Sequence, residues 1–374
     1  MGLVSAYFFS LIGRVCRLTG AKSYRHAWEL TLGNTGSRIV TIVCTFKPAF
    51  ANLAYSMILA DSFKSLLQTV GIQLSRTVAL IFITIAILWP LCLLKNLKVL
   101  APFSVLGIAA MVATVIAMTV RYLDGTYSLE YEGASRSFIQ DLPPNMRPSF
   151  GSARMSGRLH PEVFNLLCML ATAYVAHYNS PRFYDELENN TIPRFNKVVV
   201  ISYVASAMIY VVIAAVGFLT FGENSSGYIL NNYSTKDALA TFSRVSIALS
   251  ISLTYPIVFV GVRDGVLDMM KIPGDERTHS LLNALSAVIL SIVTILASTF
   301  TDLGIILSLG GATFGTAVIY IFPSLMFHKA VKDLGDSATE RLRQEVVLST
   351  FLMWFGVAVG SIGAYKSISG GFSE

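Results

Sequence analysis

The sequence predicts an all-α polytopic membrane protein, and two observations carry that prediction. Of the 374 residues, 54% are hydrophobic and only 13% are charged, whereas a water-soluble protein has about a quarter of its residues charged. Eight stretches of 18 or more residues contain no Asp, Glu, Lys or Arg, and each can cross the roughly 30 Å hydrocarbon core as a helix. An ordinary soluble domain and a disordered chain are therefore excluded.

The predicted spans form one transmembrane domain, 1–374, of about ten helices. The span 39–66 is interrupted by Lys47 and Asp61. The span 2–13 is partial, because twelve residues rise only about 18 Å as a helix. A long extramembrane loop is expected over 123–161. In order, the spans cover about 2–13, 39–66, 77–94, 99–120, 163–187, 198–222, 240–262, 280–301, 303–327 and 346–367.

The Lys and Arg residues of the short loops predict the orientation. If the segment after the first span is cytosolic, seventeen basic residues lie on the cytosolic side and ten on the other. Loop 123–161 and the C-terminus are then extracellular or lumenal. Two sequons, at Asn224 and Asn232, fall in a predicted lumenal loop and are candidate glycosylation sites. The sequon at Asn189 lies on the cytosolic side and should be unused.

Cysteine usage, charge and missing motifs narrow the function classes. The cysteines show no CxxC spacing and none lies in an expected non-cytosolic loop, so neither a disulfide framework nor a zinc site is predicted. The net charge of +6 suits cytosolic loops and needs no nucleic-acid partner. HExxH, GxSxG and P-loop motifs are missing, so an enzyme is not expected. The four cysteines are Cys16, Cys44, Cys92 and Cys168.

The strongest candidate for a working site is Leu166–Leu187, where an apolar helix becomes polar over 177–180. Pro181 follows, and proline removes a backbone donor and disfavours helical geometry at Ser180. A helix interrupted inside a membrane exposes N–H and C=O groups that can hold an amino acid or a coupling ion. The alternative is a helix that ends at the cytosolic surface, with His177 packed or interfacial.

Other polar residues inside the spans are weaker candidates. Lys47 follows Arg38 by nine residues and so lies roughly 14 Å inside its helix. It is either a fixed charge that replaces a coupling cation or a snorkelling or partnered structural lysine. Ser250 and Thr254 share a helix face and either coordinate Na⁺ or bond the preceding turn. Tyr55 is a candidate to reach a central site.

Five segments resemble, in order along the chain, motifs of the amino acid/auxin permease superfamily. The nearest branches look like the sodium-coupled neutral and the vacuolar amino acid transporters. The step His177-Tyr178-Asn179 leans towards the vacuolar type. The segments are GAKSYRHAWELTLG at 20–33, AYVAHYNSPRFYDEL at 173–187, GFLTFGENSSGYILNNYS at 217–234, ISLTYPIVFVGVRD at 251–264 and SLGGATFGTAVIYIFPSLMF at 308–327.

This resemblance implies a LeuT-type bundle of two inverted five-helix repeats plus an eleventh helix, with substrate held between broken helices one and six. It implies an amino acid carrier that works by alternating access, with H⁺ or Na⁺ as coupling ion and no other cofactor. Thr254 would be an ion ligand and Ser250 a weaker one. Tyr178-Asn179 stand where the family has Pro-Glu, so the coupling ion is left open. The implied substrate segment is Ala173, Tyr174, Val175, Ala176 and His177, followed by Asn179.

The resemblance also predicts that a first helix and the start of the second precede this chain, in roughly 40–60 further N-terminal residues. Two alternatives to a coupled carrier remain at this stage. One is an amino-acid-sensing membrane protein with little transport, and the other is an inactive truncated fragment. The expected partners are an amino acid and the lipid bilayer, in a vacuolar or lysosomal membrane or the plasma membrane. The oligomeric state is left open.

Overall fold

The computed structural model describes residues 1–93, 103–129, 136–150, 163–273 and 276–371. Within these ranges the chain is helical, without a strand, and one isolated bridge joins Ser149 to Gly222. Seven described helical runs are long and apolar enough to cross a membrane. One of them is Leu303–Asp333, in which π-helical turns join two of the shorter helices named below. The prediction of an all-α polytopic membrane protein is therefore confirmed. Parts of the predicted spans 77–94 and 99–120, and of loop 123–161, lie outside the described residues.

The helices extend beyond the apolar stretches because polar residues cap their ends. Asp237 accepts backbone hydrogen bonds from Leu239 and Ala240, and Asp302 accepts one from Ile305, which satisfies amides that lack a helical partner. In order, the helices are α1 Gly2–Thr19, α2 Tyr24–Leu32, α3 Ser37–Thr69, α4 Arg76–Ile83, α5 Trp89–Cys92, α6 Phe103–Leu123, α7 Arg136–Gln140, α8 Val163–Tyr174, α9 Ser180–Asp185, α10 Ile192–Phe221, α11 Ala238–Met269, α12 His279–Thr299, α13 Leu303–Gly310, α14 Phe322–Asp333 and α15 Glu340–Gly371.

Gly311 permits a very close contact between the π-helical turn after α13 and helix α8, the first part of the interrupted helix. A π-helical turn, Gly311–Gly315, follows α13 directly. A Cβ at Gly311 would lie 1.8 Å from the carbonyl oxygen of Cys168 in α8, so no larger residue fits there. Two glycines four residues apart, such as Gly311 and Gly315, are typical of a close contact between two helices. In the structure this turn makes that contact with α8.

Two packed regions flank the middle of the bundle. The helices α3 and α11 pack along their lengths, and Leu59, Tyr255 and Phe259 are fully buried there. On the other side, α1 packs against α10 and α14 through residues such as Phe8 and Leu11, which are also fully buried. The main cavity borders the first region and the interrupted helix, since residues of α3, α8 and α11 line it.

An ionic network fixes the loop 222–237 over one end of the bundle. The carboxylate of Asp237 is fully buried, pairs with Arg121 at 2.7 Å and accepts a hydrogen bond from Tyr127 at 3.1 Å. Burial raises the pKa of the Tyr127 phenol and the neighbouring Asp237 raises it further, so the phenol stays a donor. Asp61 joins the network, because it pairs with Arg76 and accepts from Asn231.

Candidate functional site

The site is built on a break between α8 and α9. Helix α8 ends at Tyr174, Ala176 has φ −134° and ψ 8°, and residues 177–179 form one 3₁₀ turn before α9 begins at Ser180. Pro181 does not cause the break, because Ser180 is helical with φ −55° and ψ −42°. The expectation that Pro181 keeps Ser180 out of helical geometry is therefore wrong. Proline lies in the first turn of α9, where its missing N–H has no helical role.

Two tyrosines of α10 stabilise the exposed end of α8. The hydroxyl of Tyr203 donates to the carbonyl of Tyr174 at 3.2 Å, and that of Tyr210 donates to the carbonyl of Ala173 at 3.3 Å. The last carbonyls of a helix have no helical partner, so these hydroxyls replace the missing donors. Sequence reasoning missed this pair, since two tyrosines seven residues apart look like any packed helix face.

The main cavity has a volume of about 1020 Å³ and reaches the break. It lies among α3, α6, α8, α10 and α11, and residues 225–230 of the fixed loop close part of its wall. Ligand pockets typically enclose about 300–1,000 Å³, so an amino acid fits easily. Tyr178, which sequence reasoning did not propose, also lines it. The predicted site residues that line the cavity are Lys47, Tyr55, Ala173, Val175, Ser250 and Thr254.

The other predicted substrate residues face away from the main cavity. Tyr174 and Ala176 line a second cavity of about 330 Å³ behind the break. His177 lines neither cavity. It is fully buried, its Nε2 lies 2.9 Å from the carbonyl oxygen of Ser5, and its ring packs on Phe9. The backbone N–H of Asn179 donates to Ala176 within the turn.

The two candidate ion ligands lie together on the cavity wall. The Thr254 hydroxyl donates to the carbonyl of Ser250 at 2.8 Å, which is the bond to the preceding turn that serine and threonine commonly make in helices. Pro256 follows inside α11, and proline cannot donate to the carbonyl of Ser252. The hydroxyl of Thr254 and the carbonyl of Ser250 thus lie close together at the cavity wall.

Lys47 is the charged residue of the cavity wall. Among the described residues that line the cavity it is the sole one with a charged side chain, and it is only 2% exposed. The described part of the chain offers its ammonium no ion pair and no hydrogen bond. A cation buried at this depth without a partner is unusual in a membrane protein.

The two candidate glycosylation sites differ in how deeply they are buried. Asn232 is fully buried; its amide donates to Met146 and Asn224 and accepts from the N–H of Ser226. The fold therefore has no room for a glycan on Asn232, which corrects the expectation from its sequon. Asn224 is half-buried and donates to the carbonyl of Arg147, and its glycosylation stays a prediction.

Metal and disulfide chemistry find no support in the described ranges. The four cysteines are free. Within the same ranges no group of three or more His, Cys, Asp or Glu side chains could hold a metal ion.

Comparisons with known proteins identify the family of the chain. Residues 1–369 match the family described as "Transmembrane amino acid transporter protein". The chain is 26% identical over 370 residues to sodium-coupled neutral amino acid transporter 11 of Danio rerio, covering 97% of this chain and 76% of that protein. It is 22% identical over 390 residues to amino acid transporter AVT6E of Arabidopsis thaliana, covering 98% and 75%. It is also 22% identical to vacuolar amino acid transporter 2 of Saccharomyces cerevisiae, covering 86% and 67%. These are names of transporters and not of enzymes.

Proposed function

Because the chain belongs to the transmembrane amino acid transporter family, we propose that it is a secondary active carrier of amino acids, coupled to H⁺ or Na⁺. The observation that carries this proposal is the cavity of about 1020 Å³ that reaches the break between α8 and α9. Non-helical backbone at membrane depth is tolerated where it lines such a cavity. The backbone groups of the break would hold the polar groups of an amino acid.

Alternating access is the proposed mechanism. The break between Tyr174 and Ser180 gives the bundle a place to bend, whereas the ion pair of the buried Asp237 with Arg121 holds the loop at one end rigid. The LeuT-type arrangement of inverted repeats, with α15 as the additional helix, belongs to the same proposal. The proposed location is a vacuolar or lysosomal membrane or the plasma membrane, and the name of the vacuolar relative from Saccharomyces cerevisiae supports the first of these.

Ion coupling is proposed at the wall formed by α11. Ser250 and Thr254 line the cavity, and the oxygens around them suit Na⁺. Coupling to H⁺ is the alternative. The gradient that drives uptake distinguishes the two.

Uptake into proteoliposomes tests the proposal. The purified chain is reconstituted, and uptake of a panel of labelled amino acids is measured under imposed Na⁺ and pH gradients. Concentrative uptake that follows one gradient is expected. Binding without uptake would indicate a sensor, and the absence of both would contradict a carrier.

A matched pair of variants checks that the main cavity is the route. Val175→Trp fills the cavity beside the break and should abolish uptake. Val211→Trp, on the outer face of α10 where Val211 is 66% exposed, should leave uptake unchanged. If both variants transport normally, the substrate does not pass through this cavity.

A further inference from the structure

Lys47 occupies a position that normally requires a partner. It lies in the interior of α3 next to Pro48 and is 2% exposed, so its ammonium has little contact with solvent. A snorkelling lysine would extend along the helix to the membrane surface, but Lys47 lines the main cavity. The charge is therefore directed at the space that the substrate would occupy.

The cavity wall offers no counter-charge. Its described polar side chains are hydroxyls, for example those of Tyr55, Tyr178 and Thr254. The next acid along α3 is Asp61, which is fourteen residues away, about 21 Å along a helix, and already pairs with Arg76. Within the described wall the cavity thus carries one fixed positive charge and no fixed negative charge.

The unbalanced positive charge of the cavity wall favours a ligand with a net negative charge. Burying a net charge in a low-dielectric site is costly unless an opposite charge accompanies it. A zwitterionic amino acid carries no net charge, so the occupied site would keep the full positive charge of Lys47. An amino acid with a second carboxylate carries one net negative charge, which balances the positive charge of Lys47.

We propose that Lys47 binds a carboxylate of the substrate and that the carrier prefers acidic amino acids to neutral ones. This inference rests on the proposed function, because it names the substrate class of the same cavity. The substrate ammonium is served by the hydroxyl oxygens of the wall, such as Tyr55 and Tyr178. The second carboxylate pairs with the ammonium of Lys47.

Glutamate and glutamine form the matched substrate pair for the test, since they share size and shape and differ in charge. Initial uptake of each is measured in proteoliposomes with the wild-type chain, Lys47→Met and Lys64→Met. The wild type should favour glutamate. In Lys47→Met the ratio of glutamate to glutamine uptake should fall about tenfold or more, as for a lost buried charge pair, while glutamine uptake persists. Lys64 lies in the same helix, away from the cavity wall, so Lys64→Met should keep the wild-type ratio.

Each outcome separates the inference from the proposed function. A wild type that favours glutamine, or a ratio that is unchanged in Lys47→Met, overturns the acidic preference while amino acid transport stands. A wild type that takes up no amino acid contradicts the proposed function itself. If Lys47→Met does not fold, the inference is tested on the wild-type chain alone, by its unfolding temperature with each amino acid. Glutamate should then raise its unfolding temperature more than glutamine does, and an equal or smaller rise overturns the inference.

Discussion

Two cations are buried to the same degree in this molecule, and their surroundings are opposite. Arg244 is 1% exposed and Lys47 is 2% exposed. The terminal nitrogens of Arg244 donate to the carbonyls of Leu230, Tyr233 and Ser234 at 2.7, 2.6 and 3.3 Å. The ammonium of Lys47 has no partner in the described part of the chain.

The difference indicates two roles for a buried charge. Arg244 satisfies carbonyls of the loop 222–237 that water cannot reach, and this fixes a structure without helical hydrogen bonds. Lys47 has no such partner in the described part of the chain, and in our proposal an anion in the cavity supplies one. A buried polar group without a partner weakens a fold, so such a group at a cavity points to a ligand.

The largest expected effect comes from removing the arginine. Arg244→Leu leaves three loop carbonyls unpaired and should destabilise the chain by about 3–5 kcal/mol, as for a broken buried charge network. Thermal unfolding in detergent measures this loss. Arg182→Leu is the control, because the side chain of Arg182 is 71% exposed. Equal unfolding temperatures for the two variants would contradict a structural role for Arg244.

The buried amide of Asn232 should give the next largest effect. Asn232→Ala removes three hydrogen bonds around the same loop and should cost about 1–3 kcal/mol. Because its amide is buried, Asn232→Gln should not change the glycan mass of the chain in a eukaryotic host. Asn224→Gln should remove glycan mass. Loss of mass in the Asn232 variant alone would show that the loop opens.

The tyrosines at the break should have a smaller effect on stability and a clear one on transport. Tyr203→Phe and Tyr210→Phe each remove one hydrogen bond to α8, which costs about 1 kcal/mol. The KM for the amino acid should rise several-fold, by about the factor of five that 1 kcal/mol represents, with kcat less affected. Tyr365→Phe, at a residue 70% exposed, is the control. Unchanged KM in both variants would mean that the tyrosines only pack.

The lysine should have the smallest effect on stability. Replacing a buried unpaired charge by an apolar side chain of similar size is neutral or stabilising. Lys47→Met should therefore unfold at the wild-type temperature or above it. A fall as large as that of Arg244→Leu would show that Lys47 has a structural partner, and the comparison between the two cations would be lost.

The membrane fold could be predicted from sequence because its signal is local. A long apolar stretch is sufficient by itself to predict a helix that is buried in lipid. The interrupted helix was recognisable from the polar run after α8. The exact position of the break could not be predicted, because Pro181 is tolerated in the first turn of α9 and does not mark it. A pairing such as Arg14 with Glu345 joins residues far apart in the chain, and no local pattern encodes it.

The candidate site was predictable in part for the same reason. Lys47 was visible as a charge inside an apolar span, yet its lack of a partner depends on every helix around it. Around the break, Tyr174 and Ala176 line the second cavity, Tyr178 lines the main cavity and Val175 lines both, because backbone outside a helix turns successive side chains in different directions. His177 therefore faces α1, whereas Tyr178 faces the main cavity.

The central claim is that the amino acid binds in the main cavity at the break, and protection of a cysteine tests it most directly. In a chain whose four native cysteines are replaced by alanine, Val175→Cys is labelled with a small polar thiol reagent. The amino acid that is transported best should slow labelling at this position. A cysteine in place of Glu188, whose side chain is 86% exposed between α9 and α10, should label at the same rate with and without it. Labelling of Val175→Cys that is indifferent to the amino acid, in a chain that still transports it, would contradict the account.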